Sequence, residues 1–106
     1  VVRPEDFRAV VRRGARASTR SAIYYRRERD PGDPLRFGFI VSRAVGTAVE
    51  RNRVRRRLRA LARGFVDAGG AGSDVVVRVL PGAARRDWDS LSADMHAALD
   101  ARVLAR

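Results

Sequence analysis

The sequence predicts an α+β fold, an α/β two-layer sandwich, in which a small mixed sheet of about four strands packs with three helices in the order α-β-β-β-α-β-α. Three observations predict it. Three segments carry apolar residues at helical spacing, each opened by residues that suit a helix N-terminus. Apolar, β-branched runs of strand length lie between them, bounded by proline- and glycine-rich turns. The two kinds of segment alternate without an internal repeat or a linker, so residues 1–106 are expected to form a single domain.

The first helix is expected over 4–13. Pro4 suits the first helical position, and Glu5 and Asp6 suit the positive end of the helix dipole. Phe7, Val10 and Val11 share one face, Arg12 and Arg13 complement the far end, and Gly14 can supply a left-handed cap. A short strand is expected at Ala15–Ser18 and a longer one over 21–27. Asp30-Pro31-Gly32-Asp33-Pro34 is a turn by composition, and Leu35 to Ser42 reads as the next strand. Thr47-Ala48-Val49-Glu50 is a capping-box pattern opening a helix that runs to about Phe65. Gly69, Gly70 and Gly72 break the chain, and Asp74–Leu80 is an apolar strand closed by Pro81-Gly82. Asp87 can cap a last helix in which Trp88, Leu91, Met95, Ala98, Leu99 and Val103 mark one face.

The charge points to the partner. The chain carries a net charge of +11 and a pI near 11.7, which calls for a polyanion. Every basic residue is arginine. Codon bias in a GC-rich genome accounts for the choice of arginine over lysine, but not for the shortage of acids. A hydrophobic fraction of 45% supports a globular fold. With no cysteine, disulfides and thiolate metal sites are excluded, which suits a reducing compartment. The longest apolar stretches, Phe37–Val41 and Val75–Val77, fall far short of the ~20 residues that span a bilayer. Arg3, Glu5 and Asp6 stand where a secretory signal would be apolar. A cytoplasmic protein that makes no use of the membrane is expected.

The positive charge is densest on one helix. In residues 51–63, Val54, Leu58 and Leu61, followed by Phe65, gather into a buried stripe. Arg51, Arg55, Arg59 and Arg63 climb one flank, Asn52 and Arg56 lie beside them on the outer face, and Arg53 and Arg57 cover the other flank. A solvated helix face usually mixes signs, because like charges four residues apart repel by a few tenths of a kcal/mol. Here the only acid between Asp33 and Asp67 is Glu50, which the capping box explains. Phosphates that neutralise the arginines make sense of such a face.

Nothing in the chain suggests protein-borne catalysis. His96 is the only histidine and lies off the apolar stripe. Asp87 and Asp89 could pass for a nuclease pair, but they are better read as a cap and a helix-start charge. No triad, zinc set or phosphate-cradling glycine loop is present, so no catalytic residue is assigned. Tyr24 and Tyr25 are strand neighbours and point to opposite faces; spacing alone leaves open which one is core. Phe7 fits a core position as well as a stacking one. A small basic ribosomal protein shares this size and charge but often adds long basic tails. A DNA-binding helix-turn-helix would want a short turn where this chain has a glycine loop and a strand.

The stretch Phe37–Arg59 carries a resemblance. Gly38-Phe39-Ile40-Val41-Ser42-Arg43, then Val45-Gly46-Thr47-Ala48-Val49, then Arg51-Asn52-Arg53-Val54-Arg55-Arg56-Arg57-Leu58-Arg59 closely resemble the signature of the bacterial ribonuclease P protein family. Glu5-Asp6-Phe7 with Val10 and Gly14 is similar to the family's opening helix, and Asp74-Val75-Val76-Val77 before Pro81-Gly82 is similar to its last strand. The resemblance implies a left-handed crossover around the arginine helix. It implies a protein subunit of the tRNA 5′-maturation endonuclease, assisting an RNA-catalysed removal of the 5′ leader from precursor tRNA. Arg43, Arg51, Asn52, Arg53, Arg55, Arg56 and Arg59 would contact the catalytic RNA. A separate cleft formed by Phe7, Val11, Tyr25 and Ile40 would hold the single-stranded leader. Mg²⁺ would be bound mainly by the RNA, with no cofactor held tightly by the protein and its metal ligands left unassigned; a monomer is expected. Three departures stand out. Val11 replaces a frequent aromatic, Arg43-Ala44 replaces two frequent lysines, and the basic stretch before the first helix is nearly absent.

Overall fold

The computed structural model describes residues 4–69 and 71–99. Its elements are α1 (Pro4–Arg13), β1 (Ala15–Ser18), β2 (Ala22–Glu28), β3 (Arg36–Ile40), a 3₁₀ turn (Arg43–Val45), α2 (Ala48–Asp67), β4 (Ser73–Val79), a second 3₁₀ turn (Ala83–Arg85) and α3 (Trp88–Ala98). The order α-β-β-β-α-β-α is the expected one. The four strands form one mixed sheet in the spatial order β1-β2-β4-β3. β1 and β4 each pair antiparallel with β2, and β3 pairs parallel with β4. Parallel neighbours need a crossover, and α2 supplies it.

Side-chain alternation divides the sheet into two faces. Tyr24 of β2 stands beside Val77 of β4, which stands beside Phe39 of β3. With Ala22, Phe37, Val75 and Val79 these residues meet Val54, Leu58 and Leu61 of α2 and Leu91 and Met95 of α3, forming the main core. The next residues along each strand point the other way. There Tyr25 and Val76 pack with Val10 of α1, flanked by Phe7, Val11, Ile23 and Ile40. One face is therefore fully layered by two helices, while the other is crossed by a single ten-residue helix.

Several boundaries differ from those expected, each for a local reason. β3 stops at Ile40 rather than Ser42, because beyond its last pair with Arg78 the chain bends into the 3₁₀ turn. α2 runs on to Asp67, and the Ala68 N–H closes it on the Gly64 carbonyl. Gly14 does not take the left-handed conformation expected of it. It is needed because a Cβ there would lie 2.5 Å from the carbonyl oxygens of Val10 and Arg26. The helix end thus comes down directly on β2. Trp88, expected on the buried stripe of α3, is exposed. It occupies the first helical position, one turn before the buried Leu91. Gly70 of the expected loop and Val103 of the expected helix face lie outside the described residues.

Candidate nucleic-acid interface

α2 is positioned by its first turn. The Glu50 N–H donates to Thr47 Oγ1 at 3.2 Å, and the Thr47 N–H donates to Glu50 Oε1 at 2.9 Å, completing the capping box. Hydrogen bonding by Thr47, its backbone N–H first, reinforced by the Arg53 and Arg85 charges, holds the Glu50 carboxyl below the usual carboxylate range. Gly46 makes room for this cap, since a Cβ there would meet Glu50 Oε1 at 2.7 Å.

The cap consumes the acid, and the rest of the helix surface is left cationic. Asn52, Arg56, Arg59 and Arg63 are exposed, and Arg51, Arg53 and Arg55 are half-buried. Arg55 Nη1 donates to Asn52 Oδ1 at 3.1 Å, which fixes the two side chains against one another. A shallow groove of about 640 Å³ is lined by Val49, Asn52, Arg55, Arg56 and Arg59. Arg43 stands exposed on the 3₁₀ turn just before the helix. Among the described residues, none of Arg43, Arg51, Arg53, Arg55, Arg56, Arg59 and Arg63 forms an ion pair with a carboxylate. Such a surface can bind a chain of phosphates through guanidinium forks, which are more weakly hydrated than ammonium groups.

The second region lies across the sheet. Phe7, Val11, Tyr25 and Ile40 come together around Val10 and Val76. The open question of the tyrosines is decided by alternation: Tyr25 faces α1, while Tyr24 is sealed in the main core with its hydroxyl unpartnered. Burial, with a smaller contribution from Asp94, pushes the Tyr24 hydroxyl well above the ordinary phenol range. Tyr25 is only 7% exposed, so it forms the floor of the cleft more than a free platform, and Phe7 and Val11 on α1 form its wall. Phe7 also reaches round the edge strand. It lines a groove of about 640 Å³ with Phe37, Phe39, Arg55, Arg59 and Arg63, linking the cleft to the arginine flank.

Two arginines on the cleft side were not singled out from the sequence. Arg78, exposed in the apolar strand β4, sits in register between Ile23 and Ile40, and Arg16 of β1 sits beside Tyr25. The signal was there for Arg78, as one arginine interrupting Val75-Val76-Val77 and Val79. Other arginines are structural. Arg36 donates to both oxygens of buried Asp74 at 2.8 and 2.7 Å, and Arg29 adds a bond at 3.3 Å. Burial would raise the Asp74 carboxyl, but these bonds and charges outweigh it and hold it below the ordinary range. Arg86 pairs with Asp94 at 2.8 Å, and Arg57 donates to the Arg86 carbonyl at 3.2 Å. Asp87 accepts from the Ser90 N–H at 2.8 Å as the expected cap. His96 is exposed, rests against Phe65 with ring centroids 4.7 Å apart, and places Nδ1 2.8 Å from the Ser92 carbonyl.

The sequence and the fold are both similar to those of known proteins. The family model described as Ribonuclease P matches residues 1–102. The ribonuclease P protein component of Clavibacter michiganensis is 44% identical over 98 residues, covering 92% of this chain and 87% of that protein. The ribonuclease P protein component of Streptomyces avermitilis is 48% identical over 105 residues, covering 92% and 85%. The fold is similar to that of the Staphylococcus aureus RNase P protein, with a TM-score of 0.84 at 22% identity over 98% of this chain and 95% of that one. It is also similar to that of the Thermotoga maritima protein in complex with 1-(4-fluorophenyl)-2-thiourea, with a TM-score of 0.81 at 22% identity over 92% and 94%.

Proposed function

Because this chain belongs to the ribonuclease P protein family, the protein components of a ribonucleoprotein enzyme, we propose that it uses two separate surfaces to hold two RNAs. The relatives and structural neighbours named above are ribonuclease P proteins, and the small basic ribosomal protein is set aside. The observation that carries the two-surface reading is that α2 packs on one face of the sheet and α1 on the other, the two regions meeting in the groove that Phe7 shares with Arg55, Arg59 and Arg63. Arg43, Arg51, Asn52, Arg53, Arg55, Arg56 and Arg59 engage phosphates of the ribonuclease P RNA. The cleft of Phe7, Val11, Tyr25 and Ile40 takes the single-stranded 5′ leader of precursor tRNA, with an unstacked base against Phe7.

The bond-breaking groups belong to the RNA. Four of the acids serve the fold: Glu50 and Asp87 cap helices, and Asp74 and Asp94 pair with arginines. Among the described residues no three His, Cys, Asp or Glu side chains gather as metal ligands. Mg²⁺ supplies its chemistry on the RNA side, and this chain's part is to bind and orient. The protein is read as one RNA-binding domain, monomeric when free and working in the cytoplasm. The test is reconstitution. The protein mixed with its RNA subunit and Mg²⁺ should cut precursor tRNA once, at the mature 5′ end, at lower Mg²⁺ than the RNA alone requires. Cleavage at that junction by protein free of RNA and of contaminating nuclease would overturn the assignment of chemistry to the RNA.

A further inference from the structure

α2 carries arginines on two flanks, and the groove of Asn52, Arg55, Arg56 and Arg59 lies along one of them. On the other flank, Arg57 faces the segment joining the second 3₁₀ turn to α3. Contact there is direct, since Arg57 Nη1 donates to the Arg86 carbonyl at 3.2 Å. Arg85 is exposed and lies close enough to Glu50 for its charge to act on that carboxyl, as Arg53 does. Arg57 likewise acts on Asp87. Of the acids nearby, Glu50 and Asp87 serve as caps and Asp94 pairs with Arg86, while Asp89 is exposed. Trp88, the only tryptophan in the chain, follows two residues after Arg86, whose carbonyl Arg57 binds. It is 43% exposed although the spacing of α3 puts it in line with Leu91 and Met95, both fully buried.

We propose that Trp88, with Arg57 and Arg85 at the segment that leads into α3, is a second RNA-binding site, at which an unpaired nucleotide of the ribonuclease P RNA stacks its base on the indole. An exposed indole beside guanidinium groups suits a base with its phosphates: the ring offers a flat apolar face, and the cations take the backbone charge. The site adjoins the arginine face of α2, so one RNA can cover both flanks of the helix. This proposal rests on the reading of α2 as the surface for that RNA.

Because Trp88 is the sole tryptophan, its emission reports on the site in the unmodified protein. The full chain is titrated with the RNA subunit while binding is followed independently by filter retention. Emission should be quenched in step with retention, and acrylamide should lose its access to the indole. Trp88→Ala should weaken retention about five- to hundredfold, the range expected for one stacked base. Trp88→Phe, which keeps an aromatic face, should recover most of that loss, and its recovery distinguishes stacking from damage to the fold. If RNA is retained but the emission and the Trp88→Ala affinity are unchanged, the site is wrong and the role of α2 stands. If the wild-type chain retains no RNA, both fail. Quenching that depends on protein concentration without RNA would mean that a second copy covers the indole, and would overturn the proposal.

Discussion

Around Asp74, Arg36 and Arg29 converge on one buried carboxylate; along α2, no arginine of the outer face meets a carboxylate among the described residues. The same side chain is thus used in two ways within one small sheet protein. The first group ties the start of β4 to β3, and Arg36 extends the tie to Asp6 of α1 at 3.6 Å. The second group has no carboxylate partner among the described residues and carries mutual repulsion. Arginine count is therefore a poor guide to an RNA surface, and arginines without acid partners are the better one.

The sharpest contrast is between stability and binding. Asp74→Ala should destabilise the fold by about 2–4 kcal/mol in urea unfolding, somewhat below the usual cost of breaking a buried pair because Arg36 and Arg29 keep access to solvent. RNA affinity of the remaining folded protein should hardly change. Acid should show the same thing. The Asp74 carboxyl titrates below its unfolded value, so its contribution is fully present above the ordinary carboxylate range. That contribution is lost as pH falls through the depressed value. Asp74→Asn should flatten the acid limb of the stability profile, and an unchanged limb would remove Asp74 from the clamp.

The cleft should respond to a different probe. Phe7→Ala should lower affinity for leader-bearing precursor tRNA by about 1–3 kcal/mol in the holoenzyme, with mature tRNA unaffected. Equal loss for both RNAs in a mutant that melts cooperatively would return Phe7 to a purely structural role. Tyr25→Ala, at a nearly buried position, should cost stability as well. Smallest is the cap. Thr47→Ala should reduce stability by about 1 kcal/mol, read as a shift in urea midpoint, and a null shift would show that Glu50 alone holds the first turn.

Much of this was legible in the sequence because it is local. The capping box at Thr47, the Asp87 cap and the Val54, Leu58, Leu61 stripe need only neighbours within a few residues. The arginine face needed only helical period. What escaped was set by pairing at a distance. The strand order β1-β2-β4-β3 depends on β4 inserting between β2 and β3, and nothing in the spacing says so. Asp74 read as a strand start, and its place opposite Arg36 appears only in the parallel register. Arg78 became part of the cleft side for the same reason, through Ile23 and Ile40 in two other strands. Trp88 was misplaced because helical period continues to the first residue of α3 while the core does not.

If the unpaired arginines of α2 bind RNA through its phosphates, the binding must weaken with salt in proportion to the phosphates they neutralise. The direct measurement is the salt dependence of affinity for the ribonuclease P RNA, compared between the wild-type chain and a triple Arg51→Ala, Arg55→Ala, Arg59→Ala variant. Each phosphate that an arginine no longer neutralises should reduce the slope of log K against log salt by about 0.7 to 0.9. The triple variant should therefore bind more weakly, with a slope flatter by about two to three units, while its urea midpoint is unchanged or slightly raised. A well-folded triple variant with the wild-type affinity and slope would show instead that the face is merely solvated.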